Sequence, residues 1–229
     1  MVDKPYTLFI YHPTGDGDPS LAIGAARAGA VGVFNTEDGS LDDVAIDLAL
    51  DKMACHAGGR FGVRLVELDA ARAAGLLTRV AQGLAWVIVD RAGLGPDAAV
   101  GAPLRQAGVR LLAEVTDAEP LDEPLVAGLD GLVLKGNESG GLVGDDASFI
   151  LLQKWLGRTA LPLYLRGGVT PHVAAACAAV GMAGGVIDAQ VLLMPESSLR
   201  DVLQPVLGSL SGNETQAVGD GEAGLFHQV

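Results

Sequence analysis

Short apolar runs alternate along the chain with longer segments whose apolar residues recur three and four positions apart. The runs predict buried strands, and the spaced segments predict helices with one face on a core. Strands are expected at Thr7 to Tyr11, Val31 to Asn35, Phe61 to Val66 and Trp86 to Asp90. They continue at Arg110 to Val115, Gly131 to Lys135, Leu163 to Arg166 and Gly185 to Asp188. Helices are expected between them, at Ser20 to Ala28, Leu41 to His56, Asp69 to Gln82 and Asp97 to Ala107. The series goes on with Leu121 to Ala127, Ala147 to Leu156, Pro171 to Val180 and Ser198 to Leu210. Ser20 and Asp69 can cap helix starts, and Thr170 precedes a proline suited to a first turn. Gly29, Gly83, Gly108, Gly157 and Gly181 stand just past helix ends, where a left-handed residue is wanted.

Strand–helix alternation of this kind builds a parallel sheet with right-handed crossovers. Eight such units predict an α/β fold, a single closed (βα)8 TIM barrel, with a doubly wound open sheet as the alternative. Residues 1–210 are expected to form this barrel domain. Ser211 to Val229 turns polar and glycine-rich and is expected to be a flexible C-terminal tail or linker, with Leu225-Phe226 as a docking pair.

Composition fits one domain with a full core: 229 residues, 49% hydrophobic, only 4% aromatic and 32 glycines. Small side chains of this kind suit helices lying close on a sheet. A formal charge of −13 argues against a nucleic-acid backbone or an anionic membrane surface as partner. Cys55 and Cys177 fall in different predicted helices, with neither disulfide nor zinc spacing. Met1 to Tyr11 lacks the pattern of a secretory leader, and no apolar stretch has the length of a membrane span, so a cytoplasmic protein is expected.

In a closed barrel, chemistry gathers at the carboxyl ends of the strands. His12, Asn35, Arg64, Asp90, Glu114, Lys135, Arg166 and Asp188 fall at or near those ends. Two arrangements are open. Either Lys135 or Arg166 faces an anionic ligand, or Arg166 pairs with Asp188 and Lys135 with Glu114, closing the rim on itself. The sixth strand runs into a glycine-rich loop, Gly136 to Gly144, which is either a ligand floor or a tight connection. The seventh runs into Gly167-Gly168 and a helix start, which is either an anion site or a sharp turn. Asp16 and Asp18 lack the further ligands of a calcium loop, and no metal site is expected.

Gly136-Asn137-Glu138-Ser139-Gly140-Gly141-Leu142-Val143-Gly144 resembles the active-site loop of the nitronate monooxygenase (2-nitropropane dioxygenase) family. That family includes the flavin-type enoyl-acyl-carrier-protein reductases, and its loop reads roughly Gly-x-Glu-Ser/Ala-Gly-Gly-His-x-Gly. The resemblance runs from His12 to Ser197, without room for the family's additional lid segment. It implies an FMN barrel with Gly136, Asn137, Ser139, Gly140 and Gly141 beside the ring. Gly167, Gly168, Ala189 and Gln190 would then stand at the phosphate. The chain departs from the family in two places. Leu142 stands where the catalytic histidine belongs, leaving Lys135, Glu138 and His12 as the titratable candidates. Asp188 also introduces an acid at the phosphate loop. The wording of both loops most resembles the flavin-barrel domains inside large type I polyketide and fatty-acid synthases, implying an acyl-carrier or neighbouring synthase domain as partner. The expected activity is therefore an FMN-type oxidoreductase without ordinary nitronate oxidation, or a degenerate barrel serving as a structural or docking domain.

Overall fold

The computed structural model describes residues 6–80, 82–95, 99–211, 216–220 and 224–228. Eight parallel strands close on themselves: β1 (Thr7–Tyr11), β2 (Val31–Asn35), β3 (Phe61–Leu65), β4 (Leu84–Asp90), β5 (Arg110–Val115), β6 (Gly131–Lys135), β8 (Leu163–Arg166) and β9 (Gly184–Ile187). β9 returns to β1, with Thr7 opposite Gly184 and Ile10 opposite Ile187. The closed barrel is the one the alternation predicts, and the open sheet is excluded. Helices α1 (Ser20–Arg27), α2 (Asp43–His56), α3 (Ala70–Arg79) and α4 (Gly101–Gln106) pack outside it. They are followed by α5 (Glu123–Gly128), α6 (Ser148–Trp155), α7 (Pro171–Ala179) and α8 (Arg200–Leu207). The fourth helix is shorter than expected, and residues 97–98 of the expected range lie outside the described residues.

Local chemistry explains most of the boundaries. Asp69 accepts from Arg72 N at 2.8 Å and Thr170 from Val173 N at 3.3 Å, so both cap as their sequence suggests. Ser20 does not cap; it lies inside α1, and its hydroxyl donates to the Asp18 carboxylate instead. Gly29, Gly83, Gly108, Gly157 and Gly181 all take positive φ. Losing one cap costs about 1 kcal/mol. Asp69→Ala is expected to lower the unfolding free energy by that amount, read as a lower urea midpoint with an unchanged slope.

Strand alternation sorts the barrel interior into layers. Phe9, Trp86 and Tyr164 meet edge to face at the amino end, with centroids 5.0–6.0 Å apart. Glycines make room for these rings: a Cβ on Gly131 would lie 3.0 Å from Tyr164 Cε2, and one on Gly184 2.8 Å from Tyr164 Cδ1. Val33, Ile88, Leu112, Val133 and Val186 belong to the same interior cluster. Two residues further along the same strands come Asn35, Asp90, Glu114 and Lys135, beside Arg64 and Arg166. Period-two geometry therefore delivers the charges to one end of the barrel.

Two additions go beyond the barrel units. Gly141–Val143 forms a short strand, β7, within the glycine-rich loop. Within the stretch expected to be a tail, Gln216–Asp220 (β10) and Gly224–Gln228 (β11) form an antiparallel pair. β11 also pairs with β7, placing Leu225 opposite Val143 and Phe226 opposite Leu142. This differs from a structureless tail. An isolated strand edge leaves backbone donors and acceptors without partners, and an extended segment supplies them. Among the described residues there is no further domain corresponding to a lid.

Candidate functional site

Seven charged side chains meet at the carboxyl end of the barrel. Arg64 Nη2 donates to Glu114 Oε1 at 2.9 Å and also to Asp90. Arg166 Nη1 reaches both Glu114 oxygens at 3.0 Å, its Nη2 reaches Glu37 Oε2 at 2.8 Å, and its Nε reaches Asp188 Oδ2 at 3.1 Å. Lys135 donates to Glu37. Tyr11 lies beneath Arg166, with its ring 4.8 Å from the guanidinium carbon. Three cations and four carboxylates thus neutralise one another, with one formal negative charge in excess.

The rim is closed on itself, as the second of the two sequence arrangements has it, with one exchange of partners. Arg166 pairs with Asp188 as expected, but Lys135 pairs with Glu37 rather than Glu114, which takes both arginines. Glu37 is the residue that sequence reasoning missed. It follows β2 in the polar run Asn35 to Ser40, which reads as an ordinary loop, yet its side chain is only 6% exposed.

Burial and neighbours set the protonation of this layer. Burial alone would push the Glu114 carboxyl up; the guanidiniums of Arg166 and Arg64 outweigh it and hold the group well below its ordinary range. Glu37 behaves alike, with Arg166 the main opponent of its burial. Burial pushes the Lys135 ammonium down, and Arg166 adds to the effect. Asp90 moves upward because burial, with Glu114 and Glu37, exceeds the pull of Arg64.

The glycine-rich loop packs on this layer. Gly136 N donates to Arg166 O at 2.9 Å. Asn137 closes the loop base, its backbone N on Asp146 O and its Nδ2 on Asp145 O. Gly141 has φ +77°, and a Cβ there would lie 2.9 Å from Glu37 Cδ. Glu138 accepts from the backbone N and the hydroxyl of Ser148 at the start of α6. Its side chain fills the space beside the glycine pair: a Cβ on Gly167 would lie 3.0 Å from Glu138 Cδ and 3.0 Å from Ser139 Oγ. Ser139 Oγ is buried and has no partner among the described residues. Gly140 is exposed, with nothing near its missing side chain.

These contacts decide how the pieces suit an FMN phosphate. Ala189 N donates to the Asp188 carboxylate at 2.8 Å, and Asp188 N to Gln190 Oε1 at 3.2 Å. Both amides at that turn are satisfied by the chain itself, one of them by an acid. Glu138 stands against the glycine pair on the other side, and all three nearby cations are already paired. A phosphate dianion there would stand against the Asp188 and Glu138 carboxylates with no unpaired cation beside it, so the charged side chains present do not suit it.

The remaining candidates are close together but not free. Leu142 is half-buried and lines the mouth beside Glu37, Arg166 and Asp188. His12, at the end of β1, is 1% exposed; its Nε2 donates to Asp18 O, while Nδ1 is buried without a partner among the described residues. Burial lowers its basicity. Lys135 is held by Glu37, and Glu138 by Ser148. Among the described residues no helix is long and apolar enough to cross a membrane.

No family model matches the sequence. Among curated proteins, the chain is 29% identical over 201 residues to a (3aS,4S,5R,7aS)-5-hydroxy-7a-methyl-1-oxo-octahydro-1H-indene-4-carboxyl-CoA dehydrogenase of Rhodococcus jostii, covering 84% of this chain and 55% of that protein. It is 27% identical over 189 residues to the protein of the same name from Mycobacterium tuberculosis, covering 80% and 52%. The chain therefore spans about half the length of the curated relatives it matches. Among solved structures, FabK from Thermotoga maritima superposes with a TM-score of 0.81 at 18% identity, over 99% of this chain and 71% of that one. A nitroalkane oxidase from Streptomyces ansochromogenes gives 0.76 at 19% identity, over 98% and 76%. At these identities the likeness establishes the architecture: the chain shares the (βα)8 barrel fold of FabK and nitroalkane oxidase.

Proposed function

We propose that this chain is a flavin-oxidoreductase-type barrel domain of an acyl-thioester synthase whose redox site has closed. It serves there as a structural or docking domain beside an acyl carrier or a neighbouring synthase domain. The mutually neutralised charge layer at the mouth carries this reading, because it pairs off the cationic side chains a flavin phosphate would need. The thioester setting is supported by the wording of the Gly136 to Gly144 loop and by curated relatives named as carboxyl-CoA dehydrogenases. Nitronate oxidation is lost in this reading. Leu142 has no proton to exchange, and the nearest acid and base, Glu138 and Lys135, are engaged elsewhere.

A second reading is favoured by one observation, the cavity of 580 Å³ beside Leu142. In it the barrel keeps FMN and reduces carrier-bound acyl groups, the cofactor supplying the hydride chemistry. An FMN titration followed by flavin fluorescence separates the two. The expected result is a colourless protein with no saturable binding and no turnover of a simple alkyl nitronate. Saturable binding at micromolar FMN would overturn the closed-site reading and leave the second.

A further inference from the structure

The cavity at the barrel mouth has a lining unlike the layer beneath it. Val66, Leu142, Leu192, Leu199 and Leu203 supply apolar walls. Its charged lining is Glu37, Asp38, Asp90 and Asp188, against a single cation, Arg166. Exposure sharpens the imbalance. The side chains of Asp90 and Asp188 remain 22% and 19% exposed, whereas those of Arg64, Lys135 and Arg166 are 0%, 1% and 3% exposed. A visitor to the cavity therefore meets carboxylate oxygens and hydrocarbon, while the cations are turned into the barrel.

His12 adds an independent acceptor. Because Asp18 O can only accept, Nε2 carries the ring proton and Nδ1 is left as a lone pair. That nitrogen is buried and unpartnered among the described residues, on a side chain that lines the same cavity. An anion would meet four carboxylates against one paired cation here, with the Tyr11 hydroxyl as an unpartnered neutral group on the lining. A donor head, above all a cationic one, would find several acceptors in a partly desolvated site, and the leucines would take an aliphatic body.

We propose that the mouth cavity binds a small aliphatic amine. Its ammonium group sits against Asp90 and Asp188, and its hydrocarbon chain lies along Leu192, Leu199 and Leu203. The proposal shares the closed charge layer with the scaffold reading but does not depend on the synthase setting.

Calorimetric titration of the full chain with octylamine, octanol and octanoate tests it, because the three differ only in the head group. Octylamine is expected to bind saturably and roughly tenfold tighter than octanol, as a charge-assisted hydrogen bond would give. Octanoate is expected not to bind. Leu203→Trp, on the half-buried face of α8, should fill the cavity and abolish binding of amine and alcohol alike. Asp188→Asn should remove the preference for amine over alcohol. Octanoate binding as tightly as octylamine would overturn the proposal. So would an absence of octylamine binding by protein whose circular dichroism shows it folded. FMN binding with amine binding intact would remove only the closed-site reading. Failure of amine binding with FMN still excluded would remove only this one.

Discussion

Replacing Glu114 by glutamine is expected to lower the unfolding free energy by about 3–5 kcal/mol, the usual cost of breaking a buried ion pair from one side. The Glu114 side chain is fully buried and holds Arg64 and Arg166 at once. Taking away its charge leaves two buried guanidiniums with too little compensation. Urea unfolding followed through Trp86, which sits inside the barrel, reads the loss directly. The network makes a further demand on non-additivity. The double variant Glu114→Leu with Arg166→Met should cost less than the sum of the two single changes, since it removes both desolvated charges together.

The same layer predicts an acid sensitivity. Glu114 and Glu37 both have folded values below their ordinary one. Each contributes its stability fully above the unfolded value, about pH 4.3, and loses it as pH falls towards the folded value. Asp90 shifts the other way and offsets part of this. Wild-type stability should therefore drop below about pH 4.3, and the drop should be shallower in Glu114→Gln. A loss under about 1 kcal/mol at neutral pH, or identical acid profiles, would show that the network is incidental.

The second large effect separates two glycines of one loop. A Cβ on Gly136 would overlap Ser148 N and lie 2.6 Å from Ser148 Cα. Both obstacles belong to the backbone at the start of α6, so a shift there would disturb the loop and the Glu138–Ser148 contacts together. Gly136→Ala is expected to cost about 1–3 kcal/mol or more through overpacking. Gly140 has nothing within 4 Å of the same point, and its φ is not positive. Gly140→Ala should fall within about 0.5 kcal/mol of wild type. Thermal denaturation of the pair decides the matter. Equal effects would mean that close approach of the chain to itself is not why Gly136 is a glycine.

That contrast shows where sequence reading reached its limit. Gly136, Gly140, Gly167 and Gly168 look alike in a list of small residues before a helix. The tertiary structure gives them different work. Gly136 admits the backbone of α6. Gly167 and Gly168, at φ +116° and +59°, turn the chain past Glu138 and Ser139. Gly140 faces open space. The rim shows the same limit. Strand ends could be read residue by residue, and Arg166 with Asp188 could be paired because their strands are neighbours. Lys135 and Glu37 lie 98 positions apart, and only closure of the barrel brings them together.

The sequence by itself determined the barrel: eight apolar runs, the helices between them, most of the caps, and the placement of charge at one end. Those features are local or periodic, so backbone geometry and burial of one face suffice to read them. It also determined that Leu142 cannot move a proton. The tertiary structure alone decided that the charges pair with one another, that Glu138 stands against Gly167, and that β11 pairs with β7. Each of these is a contact between segments far apart in the chain. Its energy depends on distance and desolvation, which the order of residues does not carry.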